Sequence, residues 1–145
     1  MTDDPFAGAS NVYFDANAFI YYLEGEPRFQ TPIADLFRRL NGQGCRFLTN
    51  EIAVVECLYG TYKIASRELE ERYSELFFGL ELFDVVSVDF SMLDAAARFG
   101  ARAGLRLLDA THLVCALSRD CQVLVTNDRR FKTLRNLAVV RIEDL

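Results

Sequence analysis

Apolar positions along the chain keep changing their period. Asn11 to Phe14 is a short apolar and aromatic run, and the Asp15-Ala16-Asn17 that follows offers capping side chains before the run Phe19 to Leu23. That order predicts strand, turn and helix. Ile33, Leu36, Phe37 and Leu40 recur at i, i+3, i+4 and i+7 and end in Asn41-Gly42, which predicts a second helix closing there. Arg46 to Leu48 reads as a strand. Thr49 or Asn50 can cap a helix through Ile52, Val55, Glu56 and Tyr59, with Gly60 as an interruption. Leu69, Tyr73, Leu76, Phe77 and Leu80 form the clearest amphipathic stripe, opposite a solvated acidic face.

The second half repeats the alternation. Val85 to Val88 predicts a strand, and Asp89 or Ser91 opens a helix that Gly104 ends. A further helix begins near Asp109 with Ala110, Leu113, Val114 and Leu117 inward. Val123 to Val125 reads as a fully buried strand and Val139 to Ile142 as a final edge strand. Strands alternating with helices, without repeats or a long linker, predict one α/β domain with a mainly parallel central sheet covered by helices on both faces. Residues 1–10 read as a short leader and 11–145 as the domain. In such sheets ligands sit beyond the carboxyl ends of the strands.

Composition narrows the function classes. With 145 residues, 51% of them hydrophobic and 26% charged, the chain suits one ordinary core. No apolar run approaches the roughly 18 to 20 residues of a membrane span, and the acidic start MTDDPFAGAS does not read as a secretory signal. A cytoplasmic location is the expectation. Cys45, Cys57, Cys115 and Cys121 show no CxxC pair and accompany a single histidine, so they read as reduced, buried thiols rather than a zinc site. A net charge of -5 argues against uniform polyanion binding, yet Arg129, Arg130, Lys132 and Arg135 crowd one stretch that can hold phosphates. Arg98, Arg102 and Arg106 are divided by Gly104 and are assigned no substrate role.

Four acids fall where a ligand crevice is expected. Asp15 follows the first strand, Asp128 follows the strand Val123 to Val125, and Glu56 and Asp109 lie early in helices. Each has a plain structural reading as well: Asp15 can cap, Asp109 suits a helix N-terminus, and Asp128 can stabilise a turn. Glu56 stands out because Ile52, Ala53, Val54, Val55, Cys57 and Leu58 surround it, and a buried carboxylate needs a partner. A metal would supply one. Hard oxygen ligands suit magnesium or manganese, and such a site, when empty, crowds like charges enough to raise the pKa of at least one acid.

On these segments the chain resembles the PIN-domain family, specifically the small ribonucleases that serve as VapC-type toxins of toxin-antitoxin pairs. The matching pieces are VYFDANAFIYYL with Asp15, TNEIAVVECLYG with Glu56, LLDATHLVCAL with Asp109 and VLVTNDRRF with Asp128. The resemblance implies a single PIN-like domain in which Asp15, Glu56, Asp109 and Asp128 bind Mg2+ or Mn2+ and act in catalysis. It prefers Glu56 to Glu51, because the family's acid precedes a Leu-Tyr-Gly turn, here Leu58-Tyr59-Gly60. Asn17, Thr126 and Asn127 become neighbours that orient the acids. Arg129, Arg130 and Lys132 become candidate RNA contacts. His112, three residues after Asp109, becomes a neighbour of the site.

The implied activity is metal-dependent endoribonucleolytic cleavage, with a cognate antitoxin and a homodimer as partners. Two other readings stand beside it. One is a catalytically silent PIN module that binds RNA or protein. The other is an aspartate-dependent phosphatase, against which Asn17 replaces the second acid of a DxD motif. A serine or cysteine triad finds no support, since no GxSxG elbow occurs.

Overall fold

A computed structural model describes residues 3–145. Residues 1–2 of the expected leader lie outside the described residues. The first half runs β1 (Asn11–Phe14), α1 (Ala16–Glu24), α2 (Pro27–Gly42), β2 (Arg46–Asn50), α3 (Glu51–Lys63), α4 (Arg67–Ser74) and β3 (Phe83–Val86). The second runs α5 (Phe90–Ala103), α6 (Leu107–Ser118), β4 (Val123–Thr126) and β5 (Ala138–Arg141). The five strands are parallel, in the order β3-β2-β1-β4-β5. The chain builds outward from β1 through β2 to β3 and then returns to β4 on the other side. That reversal opens a crevice at the carboxyl ends of β1 and β4, where parallel sheets hold ligands.

Period-two alternation divides the sheet between two cores. Val12, Phe14, Phe47, Val123 and Val125 face the layer formed with α1 to α4, whereas Tyr13, Leu48 and Leu124 face α5 and α6. Helices therefore cover both faces, as the pattern predicted. The first layer is aromatic: Phe14, Phe19, Phe37, Phe77 and Phe83 pack edge to face, with the Phe19 and Phe77 rings 4.8 Å apart. Such pairs each add about 0.5–1.5 kcal/mol beyond their area burial. Phe6 and Ala9 join this core, and Gln122 Oε1 accepts from the Ser10 and Asn11 amides at 2.9 and 2.8 Å. The leader is thereby laid against the domain.

Several boundaries depart from the expected ones. Gly60 does not interrupt α3, which runs on to Lys63, because a single exposed glycine costs a helix only about 1 kcal/mol. β3 begins at Phe83 rather than Val85, since Phe83 is drawn into the aromatic cluster. The stripe from Leu69 to Leu80 breaks after Ser74 into a π-helical turn, which buries Leu76 and Phe77 and leaves Leu80 exposed. In α6 the buried set is wider than one stripe, covering Asp109 to Leu113 as well as Cys115 and Ala116. Gly100 permits this close packing: a Cβ there would stand 2.9 Å from that of Ala110. Asp89 caps α5 by accepting from the Met92 amide, and Gly104 ends it in the left-handed region at φ 69°. Among the described residues no helix is long and apolar enough to cross a membrane.

Candidate active site

Asp15 is the first residue past β1 and the N-cap of α1. Its Oδ1 accepts from the Ala16 amide at 2.7 Å, and its Oδ2 accepts from the Thr126 hydroxyl at 2.9 Å. Thr126 is the last residue of β4 and is fully buried; its Oγ1 also accepts from the Asp128 amide at 3.1 Å and from Asn17 Nδ2 at 3.3 Å. Asn17 Oδ1 in turn accepts from the Asn127 amide at 3.1 Å, and Asn127 Oδ1 from the Glu143 amide at 3.2 Å. The three neighbours expected around the acids thus form one hydrogen-bonded strap joining the ends of β1 and β4. Asn17 is committed to that strap rather than to a second acid's role.

His112 projects from α6 into the same crevice. Its Nε2 lies 3.4 Å from Asp15 Oδ1 and 3.5 Å from Glu56 Oε1, and its Nδ1 lies 2.8 Å from the hydroxyl of the wholly buried Tyr13. With the proton on Nε2, the phenol donates to Nδ1 and Nε2–H faces the two carboxylates. With the proton on Nδ1, the ring donates to the phenol oxygen and the Nε2 lone pair faces them, the form that can bind a metal. The charged ring donates from both nitrogens. Burial drives the imidazole toward its neutral form, but Glu56 and Asp15 outweigh it and hold the His112 pKa above the ordinary value. Burial likewise raises the Asp15 carboxyl, against the pull of His112 and of the Thr126 and Ala16 hydrogen bonds. Like-charge crowding by Glu56 is the smallest of these influences, so desolvation, and not the repulsion expected from the sequence, dominates.

Glu56 is not buried as its neighbours in sequence suggested. Its side chain is 39% exposed, because a helix turns adjacent residues to different sides, and Val55 next to it is itself 61% exposed. The partner it needed is His112. Glu51 is exposed and accepts from the Val88 amide at 2.9 Å, away from the crevice.

Asp109 and Asp128 line the crevice too, but each is already held by an arginine. Asp109, 6% exposed, accepts from Arg106 Nε at 3.0 Å, and Asp128 accepts from Arg130 at 2.5–3.1 Å. Arg130 keeps the Asp128 carboxyl below the usual range. All four acids therefore meet in one crevice of about 190 Å³. The ligand atoms that converge most closely belong to Asp15, Glu56 and His112, which lie within 4.8 Å of one another. Two carboxylates and an imidazole converging from the end of β1, α3 and α6 fit a divalent ion, whose charge would offset the desolvation that disfavours an ionised Asp15. The imidazole brings nitrogen into a set that the sequence read as oxygen alone.

Two participants were not read from the sequence. Arg106, for which the sequence suggests no substrate role, pairs with Asp109 at i,i+3 spacing. Tyr13 looked like an ordinary strand residue. Arg129 leans on Glu143 at 3.1 Å, and Lys132 is exposed at the rim without an ion pair among the described residues. Another crevice, of about 730 Å³ between α2 and β5, is lined by Asp4 and Asp35, which pair with Arg39 and Arg38, and by Asp144, and none of the four acids lies there.

Solved structures share this architecture. The chain is similar to VapBC2 from Rickettsia felis bound to a promoter DNA fragment, at 19% identity and TM-score 0.67 over 90% of this chain and 98% of that one. DNA-bound VapBC from Salmonella typhimurium matches at 21% identity and TM-score 0.67, over 91% and 98%. VapC20 of Mycobacterium tuberculosis, described as a sarcin-ricin loop cleaving toxin, matches at 13% identity and TM-score 0.62, over 78% and 86%. No curated protein matches the sequence. The PIN domain family model matches residues 12–137, which span both strap and crevice. The chain belongs to the PIN domain family.

Proposed function

We propose that the protein is a divalent-metal-dependent endoribonuclease and the toxin of a toxin-antitoxin pair. The observation that carries the reading is the convergence of Asp15, Glu56 and His112 at the carboxyl ends of β1 and β4 in a PIN fold. RNA as the substrate is supported by the similar VapC20, whose described target is the sarcin-ricin loop. Asp15 and Glu56 would hold the ion, with His112 Nε2 as a further ligand or a hydrogen-bond donor to both acids. Mg2+ and Mn2+ suit the carboxylates, and the imidazole tilts the set toward Mn2+. A bound ion would polarise the phosphoryl oxygens and lower the pKa of attacking water.

The chain's own groups would do the rest. Thr126 and the Ala16 amide fix both oxygens of Asp15, so its carboxylate is aimed before substrate arrives. Asp109 and Asp128 complete the carboxylate set of Asp15, Glu56, Asp109 and Asp128 once Arg106 and Arg130 turn from them to phosphate. Arg129 and Lys132 would grip the backbone beside the cut. Full retention of these groups favours an active enzyme over a silent module.

A cognate antitoxin is supported by similar assemblies, among them a toxin-antitoxin complex from Klebsiella pneumoniae at 18% identity and TM-score 0.65. A homodimer is supported by the outer face of α3, where Val55, Tyr59 and Tyr62 are each more than half exposed. Incubation of purified protein with single-stranded and hairpin RNA tests the activity. Internal cuts in Mg2+ or Mn2+ that disappear in chelator support it, and equal cutting in chelator contradicts it.

A further inference from the structure

A second crevice adjoins the acids and differs from them in charge. It encloses about 570 Å³ and shares Arg106, Asp109 and Arg130 with the carboxylate crevice as a common wall. Its floor is apolar, made by Phe99 at the end of α5, Leu105 in the turn, Leu113 of α6 and Leu134 in the loop after β4. Its rim carries Arg129 and Lys132. Arg106 and Arg130 are held by Asp109 and Asp128 and Arg129 by Glu143, so of the four cations that line the crevice Lys132 alone has no ion pair among the described residues. By contrast the apolar trough on the other side of Glu56 is lined by Glu51 and Glu56 and no cation.

An apolar floor beneath a cationic rim matches a nucleotide, which joins a flat base of low polarity to an anionic phosphate. We infer that this crevice holds the base of the nucleotide adjoining the scissile bond, stacked on Phe99 and closed by Leu134, while Lys132 and Arg129 hold its phosphate. The inference rests on the ribonuclease reading and deepens it. Three features argue for RNA over an acidic peptide. The crevice shares a wall with the metal-binding acids, so a neighbouring nucleotide of a strand positioned for cutting must lie at this distance. Its volume falls within the ~300–1,000 Å³ of sites that enclose small ligands. On the floor beside Asp109 an acidic side chain would be repelled, whereas a base carries no charge.

The loop that closes the crevice is already ordered. Phe131 is 2% exposed, and Leu134 and Leu137 exchange backbone hydrogen bonds at 2.9 and 3.3 Å. The floor is therefore in place before RNA binds, which spares the ordering cost. Aromatic stacking tolerates any base, so the crevice favours a base over an abasic sugar without selecting among the four.

The test uses a fluorescein-labelled single-stranded RNA of mixed sequence and the full chain in chelator, where binding is read by anisotropy without cutting. Lys132→Glu, Phe99→Ala and Leu134→Trp, which fills the floor, should each weaken binding about 10-fold or more. Lys132 is exposed, so its variant keeps the test sound if Phe99→Ala folds poorly. In metal, one abasic site beside the cut should raise KM for wild type but add little in Leu134→Trp. If wild type cuts RNA but Lys132→Glu and Leu134→Trp bind it as wild type does, the base site is overturned and the nuclease reading stands. If those variants lose a co-purified protein partner and keep RNA, the crevice is a protein site and the inference is overturned. If wild type neither binds nor cuts RNA, both readings fall together.

Discussion

The hydroxyl of Tyr13 lies 2.8 Å from Nδ1 of His112 in a pair from which water is excluded, and this bond turns Nε2 toward Asp15 and Glu56. Tyr13 points to the α5 and α6 side of the sheet while Phe14 points to the aromatic side, so one strand both builds the core and orients the site. Tyr13→Phe should leave Nδ1 buried without its partner. The expected cost is about 1–3 kcal/mol, seen as a melting temperature lower by several degrees. The variant should also show a smaller Mn2+-induced rise in melting temperature than wild type. An unchanged melt with and without metal would mean that the hydroxyl does not position the ring.

Arg106 and Arg130 neutralise Asp109 and Asp128 in the structure, standing where a cation's field would act. Arg106→Gln should therefore act in two directions. Without metal it leaves the carboxylate of Asp109, whose side chain is 9% exposed, without its counter-charge, so the melting temperature should fall. With Mn2+ the repulsion from the guanidinium is gone, so the metal-induced rise should exceed that of wild type. Parallel thermal melts of both proteins check this, and a smaller metal response in the variant would show that Arg106 supports the metal site.

The four thiols give a test of the cores. Cys45, Cys57, Cys115 and Cys121 are free and buried, and burial raises Cys115 to about 11, Cys121 to about 12 and Cys57 further. These folded values lie above the unfolded 9.0, so the stability they contribute is present below about pH 9 and is lost as pH rises through the folded values. The melting temperature should fall progressively from about pH 9 upward. At about pH 8, iodoacetamide should label the folded chain far more slowly than the chain in urea. Rapid labelling of Cys57, Cys115 or Cys121 without denaturant would contradict the packing of both layers.

Much of this fold could be read from periodicity, because its strands are short apolar runs and its helices carry their own caps. Asp89 and Gly104 bound α5 through contacts within a few residues, and both were visible. Phe83 was missed as the start of β3 because what places it is a ring cluster drawn from β1, α1, α2 and β2. The acids were legible as positions after strands and early in helices. Their inequality was not, since Asp109 and Asp128 are occupied by Arg106 and Arg130 through side-chain geometry. His112 and Tyr13 are far apart in the chain, and only the pairing of β1 with β4 and the packing of α6 over the sheet unites them.

Conversion of Asp15 to asparagine separates a metal ligand from a structural cap. The amide oxygen can still accept from Ala16 and a desolvated charge is removed, whereas the amide NH2 cannot accept from the Thr126 hydroxyl. The two effects oppose, so the metal-free melting temperature should change little and its response to Mn2+ should vanish. The decisive measurement is cleavage of one RNA by wild type and Asp15→Asn at equal concentration in saturating Mn2+. If Asp15 holds the ion, the variant loses about 100-fold or more in rate. Equal cleavage by the two proteins would contradict it.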